Sequence, residues 1–280
     1  MSDALDNYID GVEHLPMPPL VIIKLIATFR EPYADMDDIA RLLSQDPSLT
    51  AEVLKRCNSG FFRAEEPTND IFEAIMRMGY YEVYQAAVTM FSRQTLSSKN
   101  PVGIIRAEDL WQHSGATAAL SRLLALEVNI DEGIAYTAGL LHDIGKMVLA
   151  LAEGPKYGAL MKQAGTHGSA LENAEKAAFG FGHPAVGARL LEKWKVPEDI
   201  LVPVSRHHDL VITEPNAKLV AIVSLANVLA HNLKAIAAGD KIELPEAASA
   251  LEVLQIKKER LVAVARRAKD EIRGMESLSS

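Results

Sequence analysis

The sequence predicts an all-α protein in two lobes, an N-terminal helical subdomain followed by a helical bundle. Three observations predict it. Apolar residues recur at helical spacing in nearly every segment, turn-bounded period-two alternation is absent, and helix start and stop residues punctuate the chain. In chain order, the prolines of "LPMPPL" suit a first helical turn, and Val21, Leu25 and Ala27 or Phe29 follow at helical spacing. Asp46 reads as an N-cap with Pro47 at the first helical position, and that helix stops at Asn58-Ser59-Gly60. Thr68 or Asn69 caps a helix that ends at Gly79, and "YYEVYQAAVTMFSRQTL" continues as the next.

The stretch from Ser97 to Asp109 breaks the periodicity and contains Pro, Gly and Asn, so the subdomain boundary is placed there. This gives an N-terminal unit over residues 1–98 and a bundle over residues 105–280. In the second half "LWQHSGATAALSRLLALEV" opens the bundle, and "EGIAYTAGLLHDIGKMVLALA" reads as one continuous helix. Ser169 and Glu172 form a capping-box pattern ahead of another. "HPAVGARLLEKW" and "PEDILVPVSRHH" follow, then three helical segments after Pro215 and a frayed tail.

Composition narrows the function classes. The 280 residues are 49% hydrophobic and 24% charged, an ordinary globular profile. A net charge of -8 argues against general nucleic-acid binding, which needs a basic surface to displace counterions from phosphates. The single cysteine, Cys57, excludes an intrachain disulfide and fits a reducing compartment. The acidic start "MSDALDNYID" has no apolar signal region, and the run Leu219 to Ala230 falls short of the roughly 20 residues of a bilayer span. The expectation is a cytoplasmic protein without a membrane span.

"GLLHDIGK", Gly139 to Lys146, places three ionisable groups at an apolar run. Isolated, they would be costly to bury. His142 and Asp143 supply an imidazole and a carboxylate, the ligand types a first-row divalent metal takes. Lys146 lies near the same helical face and is suited to hold a phosphate oxygen or a metal-bound hydroxide. His207 and His208 repeat the adjacent pair, His183 starts another helix with Gly187 one turn on, and His113 precedes small residues in a fourth. Several helices that each bring one or two ligands inward is a way to build a metal centre in an α fold. The bland alternative stays open: His113 alone reads as a satisfied histidine, and His14, His167 and His231 read as surface or satisfied histidines. Asp46-Pro47 is explained by a helix start, Trp194 by packing, and "KKERLVAVARRAK" by a solvated helix face.

"LWQHS…GLLHDIGK" resembles the HD superfamily of metal-dependent phosphohydrolases, and "GHPAVGARLLEKW" with "HHD" resembles later elements of its HD-GYP branch. "DPSLTAEVLKRCNSGFF", with Asp46, Pro47, Leu49, Thr50, Asn58 and Ser59 in place, is similar to the HDOD family, the HD-related output domain. "EAIMRMGYYEV" and "AEKAAFGFGHPAVGARLLEKWKVPEDI", including Glu175 and Trp194, extend that resemblance over about residues 15–208. It implies a bacterial signalling module that acts through protein contacts, in a family many of whose members have lost HD ligands. It maps metal ligands onto His113, His142, Asp143, His183, His207 and His208, with one or two divalent ions among Fe, Mn, Zn, Ni or Mg.

Two departures bear on activity. Asn227 stands where HD phosphohydrolases carry a further aspartate, a neutral and weaker ligand. The "GYP" stretch after the second histidine pair is missing. The expectation is therefore a regulatory module with an HD-type metal centre and signalling proteins as partners. The alternative is a phosphohydrolase of phosphoesters or nucleotides that uses a metal-bound hydroxide, with Lys146 steadying phosphate charge. A haem role finds no attachment motif.

Overall fold

The structure, a computed structural model, describes residues 2–12, 20–29, 35–59, 62, 66–96, 104, 106–213, 216–238 and 244–277. The N-terminal half folds as α1 (Ser2–Asp10), α2 (Leu20–Phe29), α3 (Met36–Ser44), α4 (Pro47–Cys57), α5 (Ile71–Met78) and α6 (Tyr80–Leu96). The bundle runs through α7 (Ala107–Glu127), α8 (Glu132–Leu141), α9 (Ile144–Glu153), α10 (Pro155–Ala164), α11 (Gly168–Phe179), α12 (His183–Lys193) and α13 (Glu198–Arg206). It ends with α14 (Ala217–His231), α15 (Leu233–Ala238), a 3-10 turn at Pro245–Ala247, α16 (Ala248–Leu254) and α17 (Lys258–Ser277). Among the described residues every regular element is a helix.

Local chemistry sets the helix ends. The Asp46 carboxylate accepts from the Ser48 and Leu49 amides at 2.9 and 3.1 Å, with Pro47 in the first turn. Ile39, Leu43, Leu49, Val53 and Ile75 come from the inner stripes of α3 to α5 and are fully buried. Each contributes about 1.5–3 kcal/mol by leaving water. Their apolar cluster continues through Val83, Tyr84 and Ala87 of α6 into α8, α9, α12 and α13. A second cluster joins α7 to α14, α16 and α17. α7 lies between the two, packed on α8, α14 and α17.

Three expected details are corrected. Asp70, not Thr68 or Asn69, caps α5: its carboxylate accepts from Phe72 and Glu73 amides. Thr68 is instead pinned by Asn58, whose amide bonds both its carbonyl and its N–H at 2.8 and 2.9 Å. The capping box at Ser169 does not form: α11 starts one residue earlier after His167, and Glu172 pairs with Lys176 at 2.6 Å. The helix expected to run unbroken from Glu132 is split at His142-Asp143, because His142 Nδ1–H donates to the Gly139 carbonyl at 2.8 Å and Asp143 leaves helical geometry. The expected starts at Pro16–Pro19, the stop at Gly60 and most of the boundary at Ser97–Asp109 lie outside the described residues. The stretch Glu132–Glu153 is long and apolar enough by composition to cross a membrane, but its window is 83% buried inside the protein.

Candidate metal centre

The split between α8 and α9 puts two ligand types on one turn. His142 ends α8 and Asp143 opens α9, both buried, so they face the same interior space from adjacent backbone positions. His183 arrives at the first turn of α12, which lies against α9 at a notch of two glycines. A Cβ on Gly145 would meet the His183 carbonyl at 2.0 Å and the Gly187 amide nitrogen at 2.7 Å. This close approach at Gly145 and Gly187 brings His183 to Asp143. His207 and His208 end α13, and His113 comes from α7.

Asp143 stands between two groups of histidines. Its Oδ1 lies 3.3 Å from His183 Nε2 and 3.7 Å from His207 Nε2. Its Oδ2 lies 3.3 Å from His142 Nε2, 3.8 Å from His113 Nε2 and 2.7 Å from the Lys146 ammonium. His183, His207 and His208 form one group able to hold a metal ion, and His113, His142 and Asp143 another. All six predicted ligands are therefore brought together, but as two sets that share one carboxylate. Asn227 joins the His113 set through a 3.0 Å hydrogen bond between its Oδ1 and His113 Nε2.

The imidazoles are oriented for ligation. Nδ1–H of His142 donates to Gly139, that of His207 donates to the Val204 carbonyl at 2.8 Å, and that of His183 donates to Glu175 at 2.7 Å. Each bond turns the Nε2 lone pair toward Asp143, the arrangement a metal-bound histidine needs. His142 Nε2, His207 Nε2 and Asp143 Oδ1 are buried without a hydrogen-bond partner. Three orphaned acceptors around one point are costly unless a cation meets them. The donor set, neutral nitrogen with one carboxylate, suits a divalent first-row metal.

Electrostatics agrees. Burial lowers His113 and His207 well below the ordinary imidazole value, and the neighbouring histidines His142 and His208 lower them further. His208 is held down at about 2 by burial and by His183, so these rings are neutral and free to ligate. Burial alone would raise Asp143, but His142 and Lys146 beside it hold its carboxyl well below the usual range. Burial pushes His183 down, and Glu175 more than reverses this.

Glu175 is the group that sequence reasoning quoted without giving it work. It is fully buried on α11 and accepts from the Tyr157 hydroxyl at 2.6 Å and from both the backbone and ring N–H of His183 at 2.7 Å. Leu171, one turn earlier, shares its inner face, which was the available signal. Lys146, expected to hold a phosphate oxygen or a metal-bound hydroxide, lies beside Asp143 at the centre. Its ammonium spans Asp143 and the Thr166 carbonyl, the latter at 3.3 Å, and so fastens the α10–α11 loop over the centre. His231 and His167, expected as surface or satisfied histidines, are exposed and form a column with His113, with ring centroids 4.3 and 4.2 Å apart. Beside it a cleft of about 20 Å³, lined among others by Ser169, His208, Asn227 and Glu246, leads inward to His207. That volume holds a water or two.

Known proteins place this arrangement in a family. An HDOD domain protein from Geobacter sulfurreducens, of unknown function, superposes with a TM-score of 0.75 at 23% identity over 98% of this chain and 96% of that one. An uncharacterised protein from Treponema pallidum is 25% identical over 222 residues, which are 78% of this chain and 42% of the relative. A ribonuclease Y from Oleidesulfovibrio alaskensis is 24% identical over 216 residues, 76% of this chain and 34% of the relative. The chain thus spans less than half the length of these curated relatives. The HDOD domain family model matches residues 15–210, including His113, His142, Asp143, Glu175, His183, His207 and His208, and the chain belongs to the HDOD family.

Proposed function

We propose that the chain is a signalling module whose HD-type centre binds a divalent metal and reports its occupancy through protein contacts. The observation that carries this reading is the pairing of a ligand-rich interior with a small cleft, about 20 Å³ beside the histidine column, against the roughly 300–1,000 Å³ of a typical small-molecule site. Lys146 supports it. An ammonium bound to Asp143 and to the Thr166 carbonyl is committed to holding the fold around the centre. When bound, the metal would supply the cation that His183, His207, His208 and Asp143 are arranged to meet. Glu175 keeps His183 in the ligating tautomer, and the Val204 carbonyl does the same for His207. The partner is a protein of the same signalling system.

A second reading, a metal-dependent phosphohydrolase, is favoured by the cleft itself, which runs from Ser169 and Glu246 to His207 and His208. The ribonuclease Y likeness is compatible with it. In this reading Lys146 leaves Thr166 and steadies phosphate charge.

One experiment separates them. The purified chain is loaded with Mn, Fe, Zn, Ni or Mg, its metal content is measured, and each form is assayed for thermal stability and for hydrolysis of cyclic dinucleotides, nucleotides and generic phosphoesters. The signalling reading expects bound metal, a rise in Tm on loading and no turnover. Turnover with any metal would transfer the assignment to the phosphohydrolase, and absence of metal binding would remove the centre from both.

A further inference from the structure

The two ligand sets around Asp143 are not equivalent. In the set His183, His207, His208 and Asp143 Oδ1, the donors stand 3.2 Å apart between His208 and His183, 3.3 Å between His183 and Asp143, and 3.7 Å between His207 and Asp143. Four ligands at about 2.0–2.1 Å around a tetrahedral metal are separated by roughly 3.3 Å. In the second set two of the three donors are engaged, and only His142 Nε2 is open. His113 Nε2 is bonded to Asn227, and Asp143 Oδ2, the oxygen this set requires, accepts from the Lys146 ammonium at 2.7 Å.

Charge sharpens the contrast. With the imidazoles neutral, as ligation demands, the buried groups are Lys146 against Asp143 and Glu175, one net negative charge. One dication turns this into a single positive charge that one bound monoanion cancels. A second dication leaves three positive charges in a protein interior with no further buried carboxylate among the described residues to offset them. Asn227 is the place where a carboxylate would have supplied the missing charge, and it is neutral.

We infer that the centre is mononuclear: one divalent metal sits on His183, His207, His208 and Asp143 Oδ1, while Lys146 and Asn227 keep the His113–His142 half free of metal. The inference rests on the metal-binding reading above and narrows it. Lys146 stands in for the second cation, so the half named by the His-Asp motif is structural and the three-histidine half is the ligand-binding one.

The test is metal content of the full chain after loading with excess Co or Mn and dialysis, with the visible spectrum of the Co form as a second readout. About one metal per chain is expected, with the intense absorption of tetrahedral Co. His208→Ala is expected to lose most of it and His113→Ala to keep about one. The double variant Lys146→Met, Asn227→Asp, which removes the ammonium and adds the carboxylate, is expected to move toward two. Far-UV circular dichroism identifies any variant that fails to fold, and His208→Gln then replaces His208→Ala. Two metals per native chain would overturn the inference and leave the centre standing. So would a folded His113→Ala that loses its metal. No metal in the native chain would remove the centre itself, a different result.

Discussion

Glu175→Ala isolates the contribution of the carboxylate behind His183. The substitution leaves three buried donors without an acceptor: the Tyr157 hydroxyl, the His183 backbone N–H and His183 Nδ1–H. An orphaned buried donor costs about 1–3 kcal/mol, and the loss of one partner of a buried charged pair costs about 3–5 kcal/mol as a whole. Local relaxation keeps the three from adding in full, so about 4 kcal/mol is expected. A single kcal/mol moves Tm by about 2–4 °C for domains approaching this size, which makes the fall roughly 10 °C. Glu175→Gln keeps the shape and one acceptor but turns an amide donor toward another donor, and should fall by about half as much. Both variants should also bind metal about 10–100-fold more weakly, since His183 loses the bond that fixes its ring. Thermal unfolding by circular dichroism, with and without chelator, measures the first effect, and competitive metal titration the second. A Glu175→Ala protein that melts within about 2 °C of the native chain and binds metal equally well would refute the reasoning.

Two further outcomes follow from the packing. Gly145→Ala forces α9 and α12 apart, because its methyl would meet backbone atoms of His183 and Gly187 at 2.0 and 2.7 Å. A loss of about 3 kcal/mol in urea unfolding is expected, together with weaker metal binding, while Gly115→Ala, whose Cβ meets nothing within 4 Å, should leave both unchanged. The N-terminal helix α1 should loosen in acid: Asp6 is held below its ordinary value of 3.8 by its hydrogen bond to Arg189, against a smaller effect of burial. A depressed carboxyl stabilises above its unfolded pKa and loses that contribution as pH falls through the folded one. Protection of the α1 amides, relative to the intrinsic exchange rate at each pH, should therefore be unchanged from neutral pH down to about pH 5 and fall below 3.8, and Asp6→Asn should show the lower protection already at neutral pH.

Much of this molecule is legible from local signals. The α4 start at Asp46-Pro47 and the α5 stop at Gly79 are set by side chains and backbone within one turn, and they stand where the sequence puts them. The six candidate ligands, which the fold brings together, could be picked out because histidines beside apolar runs are few and a family pattern orders them. The break between α8 and α9 could not, since nothing in the apolar periodicity of Leu140 to Met147 marks it. It is made by a side chain bonding its own helix at Gly139. Glu175 and Thr166 were missed for a related reason. Their roles are created by tertiary approach, eight residues ahead of His183 and twenty beyond Lys146, and no spacing rule reaches that far. His167 and His231 gain their column only when the α10–α11 loop folds against the end of α14.

The hydroxyl pairs between α6 and α8 carry a consequence for how such a module is read by others. Tyr84 meets Thr137 at 2.5 Å and Thr89 meets Tyr136 at 2.7 Å, about a turn ahead of His142. The N-terminal lobe thus grips the helix that delivers the His-Asp turn. In the proposed reading thermodynamic reciprocity sets a two-way account: whatever factor an ion adds to a partner's hold on α6, the partner must add to the hold on the ion. A cell protein that docks on α6 would change the concentration of metal at which the module fills, and the same chain would respond differently to one metal pool in its free and its docked state.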